Sequence, residues 1–261
     1  MKKSIIVLTV MLSFLGNISF SQNTRLRDNN NIGWYNYFGT FKVAEKFSIH
    51  TEYQWRRDNY IVDKQQILLR VGLNYQANSK LQLRFGYAWI ETYPYGDFPI
   101  NGMGKDFSEH RIFQMATLSD KIAKFELSHR FMLEQRFVGR YSNPQLTAED
   151  DFLLLNRLRY MFRIQMPLIG TEIKEKTPYI AAYNEIFVGF GKNVNENIFD
   201  QNRIGLLLGY KLDNNFRIEA GYLNQTLQLG REINNRNAFQ NNNGIILNAI
   251  INLDFTKKEI K

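Results

Sequence analysis

The sequence predicts an all-β fold: an antiparallel, up-and-down transmembrane β-barrel of about 12 strands, with ten to twelve as the range. Three observations carry that prediction. Apolar residues alternate with polar or charged ones through segment after segment of the chain. Tight connections take turns with long ones rich in Asn and Gly. The first residues read as an export signal.

That signal has three parts. Lys2 and Lys3 form a positive start, Ile5 to Leu15 an apolar run, and Ser19 and Ser21 the small residues of a cleavage site. The run is shorter than the roughly 20 residues of a membrane-spanning helix, so cleavage after Ser21 is expected rather than anchoring. Residues 1–21 are thus expected to be a cleaved signal peptide and 22–261 a single outer-membrane barrel domain. No other stretch is apolar and long enough for a spanning helix. The chain has no cysteine, which excludes a lipid-modified cysteine, a disulfide framework and thiolate metal sites. Loss of Lys2 and Lys3 lowers the net charge from +8 to +6. The remaining excess forms no stripe. Lysines gather near turns and the tail, and arginines inside the patterned segments. A nucleic-acid partner is not expected.

Period-two segments fall near 33–42, 46–57, 63–76, 80–92, 106–119, 123–137, 151–166, 178–189, 199–212, 215–226 and 243–255. In the clearest, Phe125, Leu127, Phe131, Leu133 and Phe137 share one face, while Glu126, Arg130, Glu134 and Arg136 share the other. Residues 151–166 also fit a helix opened by Thr147 and Asp150, but the alternation of Leu158, Tyr160 and Phe162 with Arg157, Arg159 and Arg163 favours a strand. The connections "VAEK", "QANSK", "SDKIA" and "LDNN" are tight. Those at 91–106, 138–150, 189–200 and 229–244 read as long loops. "PLIGTEIKEKT" (167–177) is long for the short-turn side. Bacterial single-chain barrels have even strand counts and both termini on the periplasmic side. A twelfth strand is therefore expected from Gln22–Asn30, the other possibility being that this segment threads the lumen.

A soluble barrel would bury the apolar face, whereas a membrane barrel turns it to lipid. The segments exceed the 5–6 residues common in soluble strands and cover the about 9–11 needed to cross at a tilt. Trp55, Tyr75, Trp89 and Tyr210 lie on the apolar face near segment ends, as an aromatic girdle would. The expected location is the outer membrane of a Gram-negative bacterium.

Several motifs occur in order: "GYA" (86–88), "EHR" (109–111), "HRFMLEQRF" (129–137), "RLRY" (157–160), "YNEIF" (183–187), "DQNR" (200–203) and "GY" (221–222). Together they resemble an uncharacterised bacterial outer-membrane barrel family, domain of unknown function twenty-four ninety. The resemblance implies an outer-membrane β-barrel and no established activity. One departure is the end of the chain, where Phe255 is followed by "TKKEIK"; many outer-membrane barrels end on an aromatic residue.

The main chemical feature is the polar face. Arg70, Arg84, Glu109, Arg111, Glu126, Arg130, Glu134, Arg136, Arg157, Arg159, Arg163, Glu185, Arg203, Arg217 and Glu219 are expected to line the lumen as a charge network. Arginine forks pair bidentately with carboxylates and would brace neighbouring strands. Glu109 and Arg111 are expected near Arg130, and Arg157 and Arg159 near Glu134. The other reading is an anion-selective pore or pocket. His50, His110 and His129 show no nucleophile–base spacing, and His129 and the adjacent Ser128 point to opposite faces. No catalytic residue, metal or cofactor is expected. "YPYGDF" (93–98) is read as loop packing or as a glycan or partner contact. The expected function is a structural barrel or small passive pore with an Arg/Glu-lined lumen. The alternatives are a lipase-like hydrolase and a secreted, soluble ligand-binding barrel. Expected partners are outer-membrane lipid, periplasmic chaperones, the barrel-assembly machinery and a small anionic solute in the lumen.

Overall fold

Alternation with a period of two gives a strand two chemically different faces, which suits a sheet that curls until its edges meet. The computed structural model describes residues 25–194 and 197–256. The expected leader at 1–21 and the tail lysines Lys257 and Lys258 lie outside the described residues. Eleven strands form a closed barrel: β1 (Leu26–Lys42), β2 (Phe47–Asp58), β3 (Asp63–Gln76), β4 (Leu81–Thr92), β5 (Phe107–Ile122), β6 (Phe125–Arg140), β7 (Asp151–Pro167), β8 (Thr177–Phe190), β9 (Phe199–Lys211), β10 (Phe216–Ile233) and β11 (Arg236–Asp254). None of the described residues is helical.

Each strand is antiparallel to the next, and the ring closes through a parallel pair of β1 and β11. The count of eleven lies within the expected range. Of the segment Gln22–Asn30 in which a twelfth strand was expected, residues 26–30 extend β1 directly, and Gln22–Thr24 lie outside the described residues. An odd number of up-and-down strands leaves the first and last strands parallel, which is the pairing found here. The seam runs from Leu26 opposite Ala238 to Lys42 opposite Asp254. It sets like against like: Asn30 Nδ2 donates to Asn242 Oδ1 at 3.0 Å, and Asn36 Nδ2 to Asn248 Oδ1 at 2.9 Å.

One end of the barrel carries the short turns 43–46, 77–80, 123–124 and 212–215, together with the connection 168–176. The other end carries 59–62, 93–106, 141–150 and 191–198. The stretch 229–244 is not a long loop. β10 and β11 continue through it and turn in two residues, Asn234 and Asn235, both with positive φ (52° and 57°). That is the type I′ geometry Asn tolerates and hairpins prefer. The unexpectedly long 168–176 connection turns Ile173 back against Tyr179 and its apolar neighbours.

Three register irregularities interrupt the ladders, all toward the long-loop end. They leave Gln65 on β3, Asp200 on β9 and Leu229–Arg231 on β10 out of simple pairing.

The seam admits no bulk at Gly244. A Cβ there would lie 1.7 Å from the carbonyl oxygen of Ile32 on β1. Gly244→Val is expected to destabilise the closed barrel by more than about 2 kcal/mol. The folded-form mobility in unboiled electrophoresis would then be lost or its melting midpoint sharply lowered, while Leu247→Val, on the outer face, leaves it in place.

Candidate functional site

The inner face holds charge at a density that water would normally cover. Glu134 on β6 is fully buried and stands opposite Arg157 on β7. Arg157 donates to Glu134 Oε2 from Nε (2.8 Å) and Nη2 (2.6 Å), and Arg159 Nη1 donates to Oε1 (2.8 Å). Arg70 and Arg111 reach the same carboxylate at 3.9 and 3.7 Å. Four guanidinium groups therefore surround one carboxylate.

Smaller nodes flank this centre. Glu109 accepts forks from Arg111 (2.5 and 2.9 Å) and from Arg136 (2.6 and 3.1 Å). Glu185 accepts from Arg130 (2.7 Å) and Arg159 (3.0 and 2.7 Å). Glu52 accepts from Arg70 at 2.7 Å, and Asp200 accepts from Arg157. Toward the short-turn end Glu219 accepts from Arg163 (2.6 Å), Tyr179 (2.8 Å) and Asn248 (3.1 Å). Aromatic rings separate the cations. Arg157, Arg159 and Arg203 all lie over Phe187, with guanidinium carbons 4.9, 4.4 and 4.6 Å from the ring centre.

Toward the long-loop end the packing opens into a cavity of about 690 Å³. Loop 93–106 forms part of its wall and is fastened to the β1–β11 seam. The buried Tyr95 hydroxyl donates to Gln240 (2.7 Å) and accepts from Asn242 (3.1 Å). Asp28 accepts from the Phe98 amide at 3.3 Å. Burial pushes the Tyr95 hydroxyl up to about 12, so it keeps its proton. In loop 141–150, burial raises the Glu149 carboxyl, but the Ser108 amide it accepts at 2.5 Å, together with further hydrogen bonds and the nearby His110, holds it below the ordinary range.

The family described as "Protein of unknown function (DUF2490)" matches residues 31–237. The chain belongs to that family. No curated protein and no solved structure matches it.

In this DUF2490 barrel all fifteen residues proposed from the sequence for the charge network lie on the inner side of the wall, though they differ in what they meet. Glu126 accepts only from Gln165 (2.7 Å), and Arg84 donates to Asn74 (2.5 Å). Arg203 donates to Gln201 (3.1 Å), and Arg217 has no hydrogen-bond partner among the described residues. Arg130 is not beside Glu109. The register sets it opposite Thr117, and its carboxylate partner is Glu185, two strands away on β8. Trp55 and Trp89 lie on the outer face toward the long-loop end, and Tyr75 and Tyr210 toward the short-turn end.

Sequence reasoning left out Glu52, Arg56, Asp200 and the inward Trp34. Glu52 and Arg56 share the parity of His50 and Gln54 and were visible in the alternation. Asp200 was not, because it occupies a bulge and has the opposite parity to Arg203. The "YPYGDF" loop is anchored by its own Tyr95 and Phe98, as loop packing requires. Among the described residues one ring nitrogen each of His50, His110 and His129 meets Glu52, Tyr87 and Tyr160 respectively.

Removing one partner from a buried ion cluster leaves the others uncompensated, at a cost of about 3–5 kcal/mol. Glu134→Gln is expected to lower barrel stability by that amount in denaturant unfolding of the refolded protein. Glu126→Gln, which alters a single hydrogen bond, is expected to cost about 1 kcal/mol or less.

Proposed function

We propose that the chain is an outer-membrane β-barrel, long loops outward, whose lumen is braced shut at mid-height and open only as an outer vestibule. The observation that carries this reading is the inversion of the two faces. Outside, Phe85 and Leu208 are 61% and 59% exposed, while inside Glu134 is 0% exposed. In water an apolar belt of this extent is an unstable surface; in lipid it is the solvated one. A continuous sheet without edges is also what hydrocarbon demands of a spanning structure. The strands, 12 to 19 residues long, exceed the crossing requirement.

In this reading the Arg/Glu clusters are structural bracing, and the barrel acts as a scaffold for its outer loops and vestibule rather than as a free diffusion pore. Its route to the membrane is export, chaperone escort through the periplasm and insertion by the barrel-assembly machinery. No catalytic role is assigned.

Two measurements test the proposal. Cell fractionation should place the mature chain in the outer membrane, extractable only with detergent; recovery from the soluble periplasm would sink the membrane reading. In planar bilayers the protein should give no steady conductance, and the Glu109→Gln/Glu134→Gln double variant should flicker open. A large, stable channel from the unaltered protein would overturn the closed lumen.

A further inference from the structure

We propose that the vestibule is a binding site for a small polyvalent oxyanion, a phosphate or polycarboxylate group, held between Arg56 on β2 and Arg203 on β9. The inference deepens the vestibule part of the function proposed above. It needs the barrel but not its location in a membrane.

Charge supplies the first argument. Seven arginines but only two carboxylates, Glu109 and Asp200, line the cavity. Both carboxylates are already engaged by Arg111, Arg136 and Arg157. Arg56 and Arg203 are 6% and 9% exposed, and neither has a carboxylate within salt-bridge distance among the described residues. Buried cations are ordinarily paired. Here their acceptors are neutral amides: Gln54 and Gln66 for Arg56, and Gln201 for Arg203. Arg203 donates through Nε alone, and its terminal nitrogens have no protein acceptor among the described residues. A guanidinium fork with free terminal N–H groups is built for bidentate recognition of an oxyanion.

Geometry supplies the second. The two guanidinium groups share one indole, that of Trp34, with carbons 3.8 and 4.8 Å from the ring centre. The indole is itself fixed by its N–H donating to Gln65 at 2.8 Å. The ring face steadies both cations without neutralising either. The two cations thus share one ring, and an anion between them would relieve their mutual repulsion.

The wall itself supplies the third. All three register irregularities of the barrel feed this cavity. Gln65, Asp200 and Leu229–Arg231 each line it. Bulges sacrifice ladder hydrogen bonds and re-aim side chains, and they concentrate at barrel rims and next to sites. Three on one cavity and none elsewhere among the described pairings is the pattern of a shaped pocket. Its volume of about 690 Å³ fits a small organic anion.

The test uses the refolded full-length mature barrel in zwitterionic detergent at constant ionic strength. Isothermal titration is carried out with inorganic phosphate, with citrate, and with chloride and a neutral sugar as controls. Saturable binding of phosphate or citrate, but not of the controls, is expected. The preference between the two probes distinguishes a phosphate-type from a carboxylate-type ligand. Arg203→Gln and Arg56→Gln should each weaken binding at least about tenfold, whereas Arg217→Gln, outside the cavity, should leave it unchanged. Near-ultraviolet circular dichroism and unboiled electrophoresis confirm that each variant is folded. Absence of saturable binding to the unaltered barrel overturns the proposal whatever the variants do. So does binding that survives in both folded variants. Neither result bears on fractionation or conductance, so this proposal and the membrane reading fail separately.

Discussion

Closure of the ring is the constraint from which the rest of this barrel follows. A sheet edge exposes a row of unpaired N–H and C=O groups, and in hydrocarbon no water satisfies them. With eleven strands the only closure available is parallel, and parallel pairing is slightly weaker per residue than antiparallel. The seam compensates locally. Asn side chains face Asn side chains across it, Gly244 lets β11 approach the β1 backbone, and loop 93–106 lies against it through Tyr95 and Asp28. The two runs of three asparagines at 29–31 and 241–243 are one structure, paired residue for residue.

A closed wall of this circumference encloses a space that must be filled, and the chain fills much of it with ions. Glu134, Glu109 and Glu185 each meet two or more guanidinium groups, and the excess positive charge is spaced by Phe187, Phe113 and Trp34. Such an interior is not a strong source of net stability, since desolvation offsets most of the Coulomb gain. It does impose register. A one-residue slip of β7 against β6 would carry Arg157 and Arg159 away from Glu134 and turn their side chains to the outer face.

The alternation legible in the sequence located all eleven strands where apolar residues mark the outer face. It failed where that mark is missing. Residues 26–32 and 236–242 are strand, yet Asn, Gln and Arg make up most of both, so period two leaves little contrast to read; in 227–233 the register irregularity between Gln228 and Glu232 interrupts the alternation. These extensions pair with one another and form the rim at the long-loop end. The charge network was legible as a set but not as a set of pairs. Parity says which face a residue occupies; pairing depends on stagger between strands. Arg130 meets Glu185 rather than Glu109 for that reason. Bulges defeat parity altogether, which is why Asp200 and Gln65 carried no signal.

The seam and the vestibule are one mechanical unit. Arg56 and Arg203 belong to β2 and β9, so β1, β11 and β10 are the strands between them in the ring. Trp34, which both cations touch, is on β1 at the seam. A relay of amides runs from the seam to Arg203: Asn242 donates to Gln225 (3.1 Å), Gln225 to Gln201 (2.5 Å), and Gln201 accepts from Arg203 (3.1 Å). The same Asn242 donates to Tyr95 of the covering loop. An anion bridging Arg56 and Arg203 would therefore clasp the barrel across its parallel closure, and by linkage anything that binds only the closed ring favours closure. Repulsion between the two cations works in the opposite direction when nothing lies between them. The parallel ladder of the barrel and two arginines without a carboxylate partner occupy the same sector of the wall, so binding of an anion in the vestibule would be thermodynamically linked to integrity of the seam.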